Sequence, residues 1–291
     1  MCVTQLSEEQ MTIKITTLSE NTAGGDPDTL NWFFMAEFAL SILVEVDGQN
    51  ILFDTGLDQA AVHNARLLGI DLSLVDKIVL SHAHEDHTGG LRDVLKATGQ
   101  VEVIAHPDIW DIKYGGNQQM KRYVGVPFRR EELERLGARF NLTKDPVWIT
   151  DHVVTTGEVP MVTDYEQIDP MLLVKKGDTF CPDLVADDLS LVIKSDKGLV
   201  VILGCAHRGM INHIRHAQNL TRKKNIHTII GGTHLMAAAA SGLDRTITDL
   251  KQMKVTKLGA CHCTGFEALS RLYTEFPDAF FLNNAGTQIK I

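Results

Sequence analysis

The sequence predicts an α/β protein of layered architecture, and two of its features lead to this prediction. Short runs rich in β-branched residues alternate with helical patterns along the chain. Five of the apolar runs then end in Asp, His or Cys: ILFDTG, KIVLSHAHEDH, LVVILGCAH, HTIIGGTH and LGACHCTG. Because functional side chains collect at the carboxyl ends of strands in such folds, these endings predict one shared site.

The amino-terminal part of the chain predicts three strands and then strand–helix alternation. MTIKITTL (11–18), LSILVEVDG (40–48) and NILFDTG (50–56) have the composition of strands, and DG at 47–48 predicts a tight hairpin turn. A helical pattern covers 58–69 and stops at a glycine. DKIVLSHAH then predicts a strand and a loop, GGLRDVLKATG a helix and VEVIAH a strand.

The middle of the chain, from about 107 to 180, lacks a regular pattern. It mixes glycine, aromatic and basic residues, including the basic segment KRYVGVPFRR at 121–130. An irregular stretch of this length inside one domain predicts an insertion that shapes or covers a site. The alternative is a mobile surface excursion. The basic segment is either an anion contact or a solvated face.

Regular alternation returns in the last part of the chain. SLVIKSDKGLVVILGCAH predicts two strands joined by a turn at SDKG. NIHTIIGGTHL and VTKLGACHCTG each predict one strand, with helices between them. The α/β layering is therefore expected in both halves of the chain.

Composition and charge narrow the class of partner. Of the 291 residues, 44% are hydrophobic and 22% are charged, as in soluble globular proteins. The net charge of −9, with no block of Lys and Arg, argues against nucleic-acid and membrane partners and leaves a small molecule. The first ten residues lack the features of a secretory signal and the five cysteines are an odd number, so we expect reduced thiols in a cytoplasmic protein.

The stretch SHAHEDHTGG, residues 81–90, carries the strongest chemical signal. His82 and His84 are two positions apart at the end of a strand, so an extended backbone points both imidazoles to the same side. Asp86 and His87 follow in the loop and reach a second position close by. Imidazole with carboxylate suits zinc, iron or manganese, and such a paired site activates water. The alternative, a chance histidine cluster on a surface loop, does not explain the spacing.

SHAHEDHTGG resembles the H-x-H-x-D-H signature of the metallo-β-lactamase superfamily, and LFDTG upstream resembles its first aspartate strand. TGEVP, GCAHRGMINHI, GGTHL and HCTGFEAL resemble the branch named for 7,8-dihydropterin-6-yl-methyl-4-(β-D-ribofuranosyl)aminobenzene 5′-phosphate synthase. This resemblance implies an α/β fold of the four-layer αββα sandwich type. It also implies a single domain over 1–291 with an irregular insertion or lid at about 107–180. The chain departs from the branch at Phe38 and Ala39, which replace a histidine and a glycine.

The resemblance also implies roles for individual residues. His82 and His84 match the histidines of the superfamily's first metal position. Asp86 and His87 match the pair at the second metal position, and His262 matches the final histidine, which binds the second metal.

Two further ligand positions are less regular. Cys205 stands where many relatives have a bridging aspartate, and a thiolate there favours zinc. The third histidine of the first metal has no obvious counterpart, so His207 is the candidate, with Asp188 and His234 as the alternatives. We therefore expect one or two zinc ions, with iron or manganese as alternatives.

Several residues near the motifs are expected to play supporting or structural parts. Asp54 is expected to orient a ligand histidine or the loop rather than to bind metal. Cys261 and Cys263 flank His262, but no C-x-x-C partner exists for a zinc knuckle, so both are predicted to be buried neutral thiols. Glu158 is either a pocket residue or a hydrogen-bonding residue of its loop.

Together these observations predict a metal-dependent hydrolase, or a pterin-related synthase or lyase, that uses metal-activated water on a small anionic substrate such as a phosphoester. Asp86 is expected to orient that water, and His207 or His234 to donate a proton or to hold a negative oxygen. Two alternatives stay open: an iron-dependent oxidoreductase of the same fold and a non-catalytic ligand-binding relative. The oligomeric state also stays open.

Overall fold

The computed structural model describes residues 11–24, 33–117 and 119–291. Its strands are β1 (Lys14–Ser19), β2 (Ser41–Val46), β3 (Gln49–Phe53), β4 (Lys77–Val79), β5 (Val101–Ala105), β6 (Lys113–Gly116), β7 (Lys121–Tyr123), β8 (Ala138–Leu142), β9 (Val153–Thr155), β10 (Leu172–Lys176), β11 (Thr179–Pro182), β12 (Ser190–Ser195), β13 (Gly198–Leu203), β14 (Ile226–Gly232), β15 (Lys257–Cys261) and β16 (Gln288–Lys290). Its helices are α1 (Ala60–Leu67), α2 (Glu85–Thr88), α3 (Leu91–Thr98), α4 (Arg130–Arg135), α5 (Met210–Thr221), α6 (Ala240–Met253) and α7 (Phe266–Glu275). Short 3₁₀ turns lie at Leu72–Leu74, Pro107–Trp110, Leu235–Ala237 and His262–Thr264.

Two sheets form the centre of the fold. The first has the strand order β16-β1-β2-β3-β4-β5-β8, antiparallel from β16 to β3 and parallel from β3 to β8. The second has the order β15-β14-β13-β12-β9, with β13, β14 and β15 parallel and the other pairs antiparallel. Each sheet therefore has a parallel part whose strands end together at one edge.

The two sheets pack face to face, because each strand sends alternate side chains to two buried faces. In β2, Ile42 and Val44 enter the core between the sheets, whereas Leu43 faces the helices. Residues of α1 and α3 cover the outer face of the first sheet, and residues of α5, α6 and α7 cover that of the second. The order of layers is αββα, so the predicted fold class is confirmed.

The helices are amphipathic covers of the sheets. In α5, Ile211 and Ile214 are buried against the second sheet, whereas Arg215 on the other side is half-exposed and pairs with Asp249 of α6. The longest helix, α6, has 14 residues. Among the described residues, no helix combines the length and the apolar character that a membrane span requires.

A tight turn joins β2 to β3, as the DG signal predicts. Asp47 and Gly48 both have positive φ, at 53° and 68°. This is the type I′ geometry, whose twist matches that of the flanking strands. Val46 pairs with Gln49 across the turn. Since a slip of one residue would exchange the two faces of the hairpin, this turn helps to determine which side chains face the second sheet.

The stretch 107–180 contains more regular structure than its sequence suggests. β8 extends the first sheet alongside β5, and β9 extends the second sheet alongside β12. The rest contributes β6, β7 and β10, which form a separate sheet with β11 in the order β11-β10-β6-β7. These strands have only three to five residues each and carry no continuous apolar alternation, so the sequence pattern is weak. A lid role for this stretch stays a prediction.

Candidate metal centre

The predicted site residues meet at one edge of the two sheets. Asp54 directly follows β3, and the motif 82–87 follows β4 after two residues. In the second sheet, 205–207 follow β13, His234 follows β14 and His262 follows β15. All five sequence endings therefore converge, because β3, β4, β13, β14 and β15 are among the parallel strands of the two packed sheets, and parallel strands end at the same edge.

Three buried imidazoles form the first donor group. His82 Nε2 lies 3.1 Å from His84 Nδ1 and 3.2 Å from His207 Nε2. Burial, reinforced by the neighbouring histidines, lowers the pKa values of His82 and His207 well below their usual range. Burial likewise lowers the pKa of His84 to about 4, although Asp86 opposes the shift. The three rings are therefore neutral, and their nitrogens converge as ligands of one cation would.

Asp86, His87 and His262 form the second donor group. Asp86 Oδ2 lies 3.3 Å from His262 Nε2 and 3.9 Å from His87 Nε2. Burial opposes the charge on Asp86, but His87 and His262 outweigh burial and hold the pKa of this carboxyl below its usual range. The group thus offers one carboxylate and two imidazole nitrogens to a second cation, and the sequence prediction named all three residues.

Hydrogen bonds on the outer ring nitrogens orient two of these histidines. His87 Nδ1 lies 2.7 Å from Asp54 Oδ2. Although burial lowers the pKa of His87, the Asp54 carboxylate raises it to about 9 overall. His262 Nδ1 lies 2.9 Å from Asn21 Oδ1, and the amide nitrogen of Asn21 donates to the His262 carbonyl. Since an amide oxygen only accepts, His262 Nδ1 carries the proton and Nε2 is free to bind metal.

Asp54 and the Gly89–Gly90 pair hold the ligand loop in place. Asp54 accepts hydrogen bonds from the Ser81 backbone N–H and hydroxyl, each at 2.7 Å. A Cβ on Gly90 would lie 2.0 Å from the Thr55 carbonyl oxygen, and one on Gly89 would lie 2.2 Å from the Leu57 carbonyl oxygen. The two glycines are therefore required for the close approach of this loop to the chain after β3.

Cys205 lies between the two donor groups. Its Sγ is 3.1 Å from His87 Nε2. It also falls within 4.8 Å of the ligand atoms of His82 and His87, one from each group. Burial raises the pKa of the thiol in the absence of a cation, and the neighbouring Cys263 raises it further. The position agrees with a bridging or adjacent ligand, as the sequence prediction proposed.

Cys263 lies beside the predicted ligands, although the sequence prediction did not name it as one. Its Sγ joins Cys205 and His262 in a further cluster whose ligand atoms lie within 4.8 Å of one another. β15 ends at Cys261, and His262 has a positive φ of 53°, so the strand alternation stops before residue 263. Burial raises the pKa of Cys263, but hydrogen bonding to Cys205 and His234 outweighs burial and holds this pKa well below its usual range. The neutral packing thiol expected for Cys263 stays a prediction, although the sulfur lies among the candidate donor atoms.

Cys261 fits the expectation of a packing thiol. It belongs to the core between the sheets, and its Sγ accepts a hydrogen bond from the Asn283 side chain at 3.2 Å. Burial raises the pKa of its thiol. The signal that could have separated the two cysteines is the end of the strand, since residues 261 and 263 would share a face only if β15 continued.

Of the alternatives for the third ligand of the first metal, His207 alone joins His82 and His84. Asp188 is turned to α5, where its Oδ2 lies 3.0 Å from His213 Nε2. His234 stands beside the group with its ring centroid 4.2 Å from that of His207. Burial lowers the pKa of His234, but Asp169 and Cys263 raise it to about 10 overall.

The centre opens into a cavity of about 420 Å³. Apolar side chains, among them Phe38 and Met236, form part of its wall, and Arg122 from β7 stands there in an ion pair with Glu85. A second cavity of about 510 Å³ adjoins it, and His207 and His234 line both. Glu158 is absent from both linings and binds His106 and Lys144 instead.

The hydrogen bonding of the donor atoms fits a bound divalent metal, because one buried ring nitrogen lacks a partner in the described part of the chain. His262 Nε2, which lies 3.3 Å from Asp86 Oδ2 in the second donor group, is buried without a hydrogen-bond partner among the described residues. Such an orphaned atom is costly unless a ligand satisfies it. The four-layer sandwich and this centre together define a metallo-β-lactamase-type protein with a place for divalent metal.

Comparison with known proteins agrees with that class. Residues 36–167 match the family model described as the metallo-beta-lactamase superfamily. A 7,8-dihydropterin-6-methyl-4-(beta-D-ribofuranosyl)-aminobenzene-5'-phosphate synthase from Methanocaldococcus jannaschii is 32% identical over 292 residues, covering 96% of each chain. The chain belongs to the metallo-β-lactamase superfamily, and its predicted resemblance to this branch is confirmed.

Solved structures have the same fold. Tm1679, described as a metal-dependent hydrolase of the beta-lactamase superfamily, superposes with a TM-score of 0.81 at 26% identity, covering 96% of this chain and 99% of that one. The metallo-beta-lactamase fold protein YhfI from Bacillus subtilis superposes with a TM-score of 0.56 at 14% identity, covering 97% and 100%. The second likeness concerns the fold alone.

Proposed function

We propose that this protein is a metal-dependent hydrolase acting on a small anionic substrate such as a phosphoester. One observation carries the proposal: two groups of metal-ligating side chains face a single open cavity, and a histidine of raised pKa, His234, stands in its wall. A pterin-related synthase or lyase reaction at the same centre is the neighbouring possibility, since the Methanocaldococcus jannaschii relative is named as such a synthase.

The residues of the centre have distinct roles in binding metal and orienting water. A bound divalent cation supplies Lewis-acid catalysis and activates water near neutral pH. His82, His84 and His207 hold the first cation, and Asp86, His87 and His262 hold the second, with Cys205 between them. Asp86 also orients the attacking water, because its carboxylate stays charged at neutral pH.

His234 is the better candidate for the proton donor or anion contact. His207 belongs to the group with His82 and His84, so its Nε2 is committed to metal. Burial lowers the pKa of His234, but Asp169 and Cys263 raise it to about 10 overall, and the residue faces the cavity. A protonated imidazole in that place holds a negative oxygen or donates to a leaving group.

An anionic substrate fits the surroundings of the cavity. Arg122, from the basic segment 121–130, lines the cavity, although its partner Glu85 offsets part of its charge. The relative's name contains a 5'-phosphate, which supports a phosphorylated substrate.

The test combines metal analysis with a substrate screen. Purified protein is analysed for zinc, iron and manganese and then assayed on phosphodiesters, phosphomonoesters, sulfate esters and lactones. We expect bound zinc and hydrolysis of an anionic ester. His84→Ala should lower the rate by at least about 100-fold, since losing even an outer-sphere partner costs up to about that much.

His152→Ala is the matched control, because His152 is exposed and pairs with Asp47 at the β2–β3 hairpin. It should retain the wild-type rate. Metal-loaded protein that hydrolyses none of the panel would contradict the proposal, and bound iron with visible absorption would then favour the oxidoreductase alternative.

A further inference from the structure

We propose that Cys263 and Cys205 form a two-sulfur face of the metal centre, which makes the centre selective for zinc or another thiophilic cation over manganese or magnesium. The proposal rests on the metal loading that the proposed function requires. It adds Cys263 as a ligand and predicts which class of cation the second position prefers.

The sulfurs of Cys205 and Cys263 and a ring nitrogen of His262 lie close together. The Sγ atoms of Cys205 and Cys263 and a ring nitrogen of His262 lie within 4.8 Å of one another. Both cysteines are 3% exposed, yet both line the open cavity together with Asp86. Sulfur that is buried from bulk water but faces a cavity beside a carboxylate is in the right place to bind a cation.

His262 supplies an independent sign of a missing ligand. Its Nδ1 lies 2.9 Å from Asn21 Oδ1, so Nε2 is the ring nitrogen left to bind a cation, and this buried atom has no hydrogen-bond partner among the described residues. Asp86 Oδ2, at 3.3 Å, cannot donate to it while the carboxylate is ionised. A cation bound by His262 Nε2, Asp86 and the two sulfurs would satisfy these atoms together.

The backbone around Cys263 makes room for its sulfur and favours a thiolate. A Cβ on Gly232 would lie 2.3 Å from the Gly204 carbonyl oxygen and 2.7 Å from Cys263 Sγ, so glycine is required by the backbone here and also leaves room for the sulfur. The backbone N–H of His234 donates to the same Sγ at 3.3 Å. A hydrogen bond of this kind favours the charged form of the acceptor.

The chemistry of the donor set determines the cation. Thiolate ligands prefer zinc and other soft or borderline ions, whereas carboxylate and carbonyl oxygens suit magnesium and manganese. Two cysteines and one histidine are a known set of protein ligands for zinc. When the cation binds, each ligating thiol loses its proton to solvent and its sulfur becomes the ligand.

The experiment compares Cys263→Ser with Cys261→Ser, since Cys261 is equally buried but lies in the core between the sheets. Each protein is stripped with a chelator, and its zinc and manganese affinities are measured by competition with a chromophoric chelator. Cys263→Ser should lower zinc affinity by at least about tenfold and manganese affinity much less. Cys261→Ser should leave both affinities unchanged.

Cobalt substitution of the wild-type protein provides a readout that does not depend on any variant. Sulfur ligation gives an intense near-ultraviolet charge-transfer absorption, which should weaken in Cys263→Ser or Cys263→Ala and vanish when Cys205 is also replaced by Ser. Cobalt binding without this absorption would overturn the inference while leaving the proposed hydrolase intact. The absorption without hydrolytic activity would support the inference and contradict the hydrolase. A wild-type protein that binds no divalent cation would overturn both.

Discussion

The histidines of the centre differ in how firmly their rings are fixed. His82 Nδ1 lies 2.9 Å from the Ser81 hydroxyl, and His87 and His262 contact Asp54 and Asn21 through the same ring atom. These three rings are therefore oriented before a cation arrives, which lowers the cost of binding. His207 Nδ1 has no such partner among the described residues.

Asp54→Asn should lower zinc affinity by about 10–100-fold with little change in the fold. The substitution removes the charge that holds His87 Nδ1, while asparagine still tolerates the positive φ of 59° at this position. Zinc titration and urea unfolding of the metal-free protein measure the two effects. Asp47→Asn is the control, since Asp47 also has positive φ but lies at the exposed hairpin. Equal zinc affinities in the two variants would mean that Asp54 does not orient the ligand.

Asp86→Asn should leave the protein folded and sharply reduce turnover of the ester found in the screen. The amide weakens metal binding and removes the charged oxygen that orients water. Circular dichroism and steady-state kinetics measure the two quantities. Near-wild-type turnover in this variant would mean that the reaction does not depend on Asp86.

At the scale of elements, β6 of the four-stranded sheet is tied to the ligand loop by a buried ion pair. Lys113 of β6 binds Asp187 and, at 3.0 Å, Asp183. Asp187 Oδ2 in turn accepts the backbone N–H of Ala83, between His82 and His84, at 2.8 Å. A residue of the stretch that looked irregular in sequence thus supports the ligand loop through Asp187.

Lys113→Met should lower the free energy of unfolding by about 3–5 kcal/mol, because it leaves two buried carboxylates without their cation. Lys14→Met is the contrast, since Lys14 pairs with Glu45 at the surface, and its loss should cost about 1 kcal/mol or less. Urea unfolding of the metal-free proteins measures both. Similar losses in the two variants would show that the buried ion pair contributes no more to the free energy of unfolding than the surface pair does.

Elements with strong periodicity could be predicted from the sequence, and short ones could not. The hairpin at 47–48 and the strands before each ligand were predictable because both faces of those strands are buried and their apolar runs are continuous. β7 and β9 have three residues each, too few for any periodic signal. The placement of Cys263 depends on where β15 stops, and strand ends are the least predictable feature of a sequence.

At the scale of the whole molecule, the three hydrophobic cores stabilise the fold independently of metal. Chelation should therefore leave the far-ultraviolet circular dichroism unchanged, unlike in a zinc finger. It should lower the Tm, since a cation present at about 100 times its Kd stabilises the native state by about 2.7 kcal/mol. Circular dichroism and thermal unfolding with and without chelator measure both. Loss of the folded signal on chelation would contradict this.

The whole-molecule arrangement was predictable from local motifs only in part. The spacing within 82–87 is local, so the sequence alone predicts that these side chains cluster. The sequence left His207, Asp188 and His234 as candidates for the third ligand position. Only the packing of the second sheet against the first determines which of them reaches His82, and that residue is His207.

The ligands are neighbours in space but distant along the chain. His82 and His207 are 125 positions apart, and His87 and Cys205 are 118 apart. Each donor group thus draws on both sheets and exists only after the sheets have docked. A complete donor group therefore requires both sheets to be folded and docked, because an unfolded chain offers a cation only an isolated fragment of the motif.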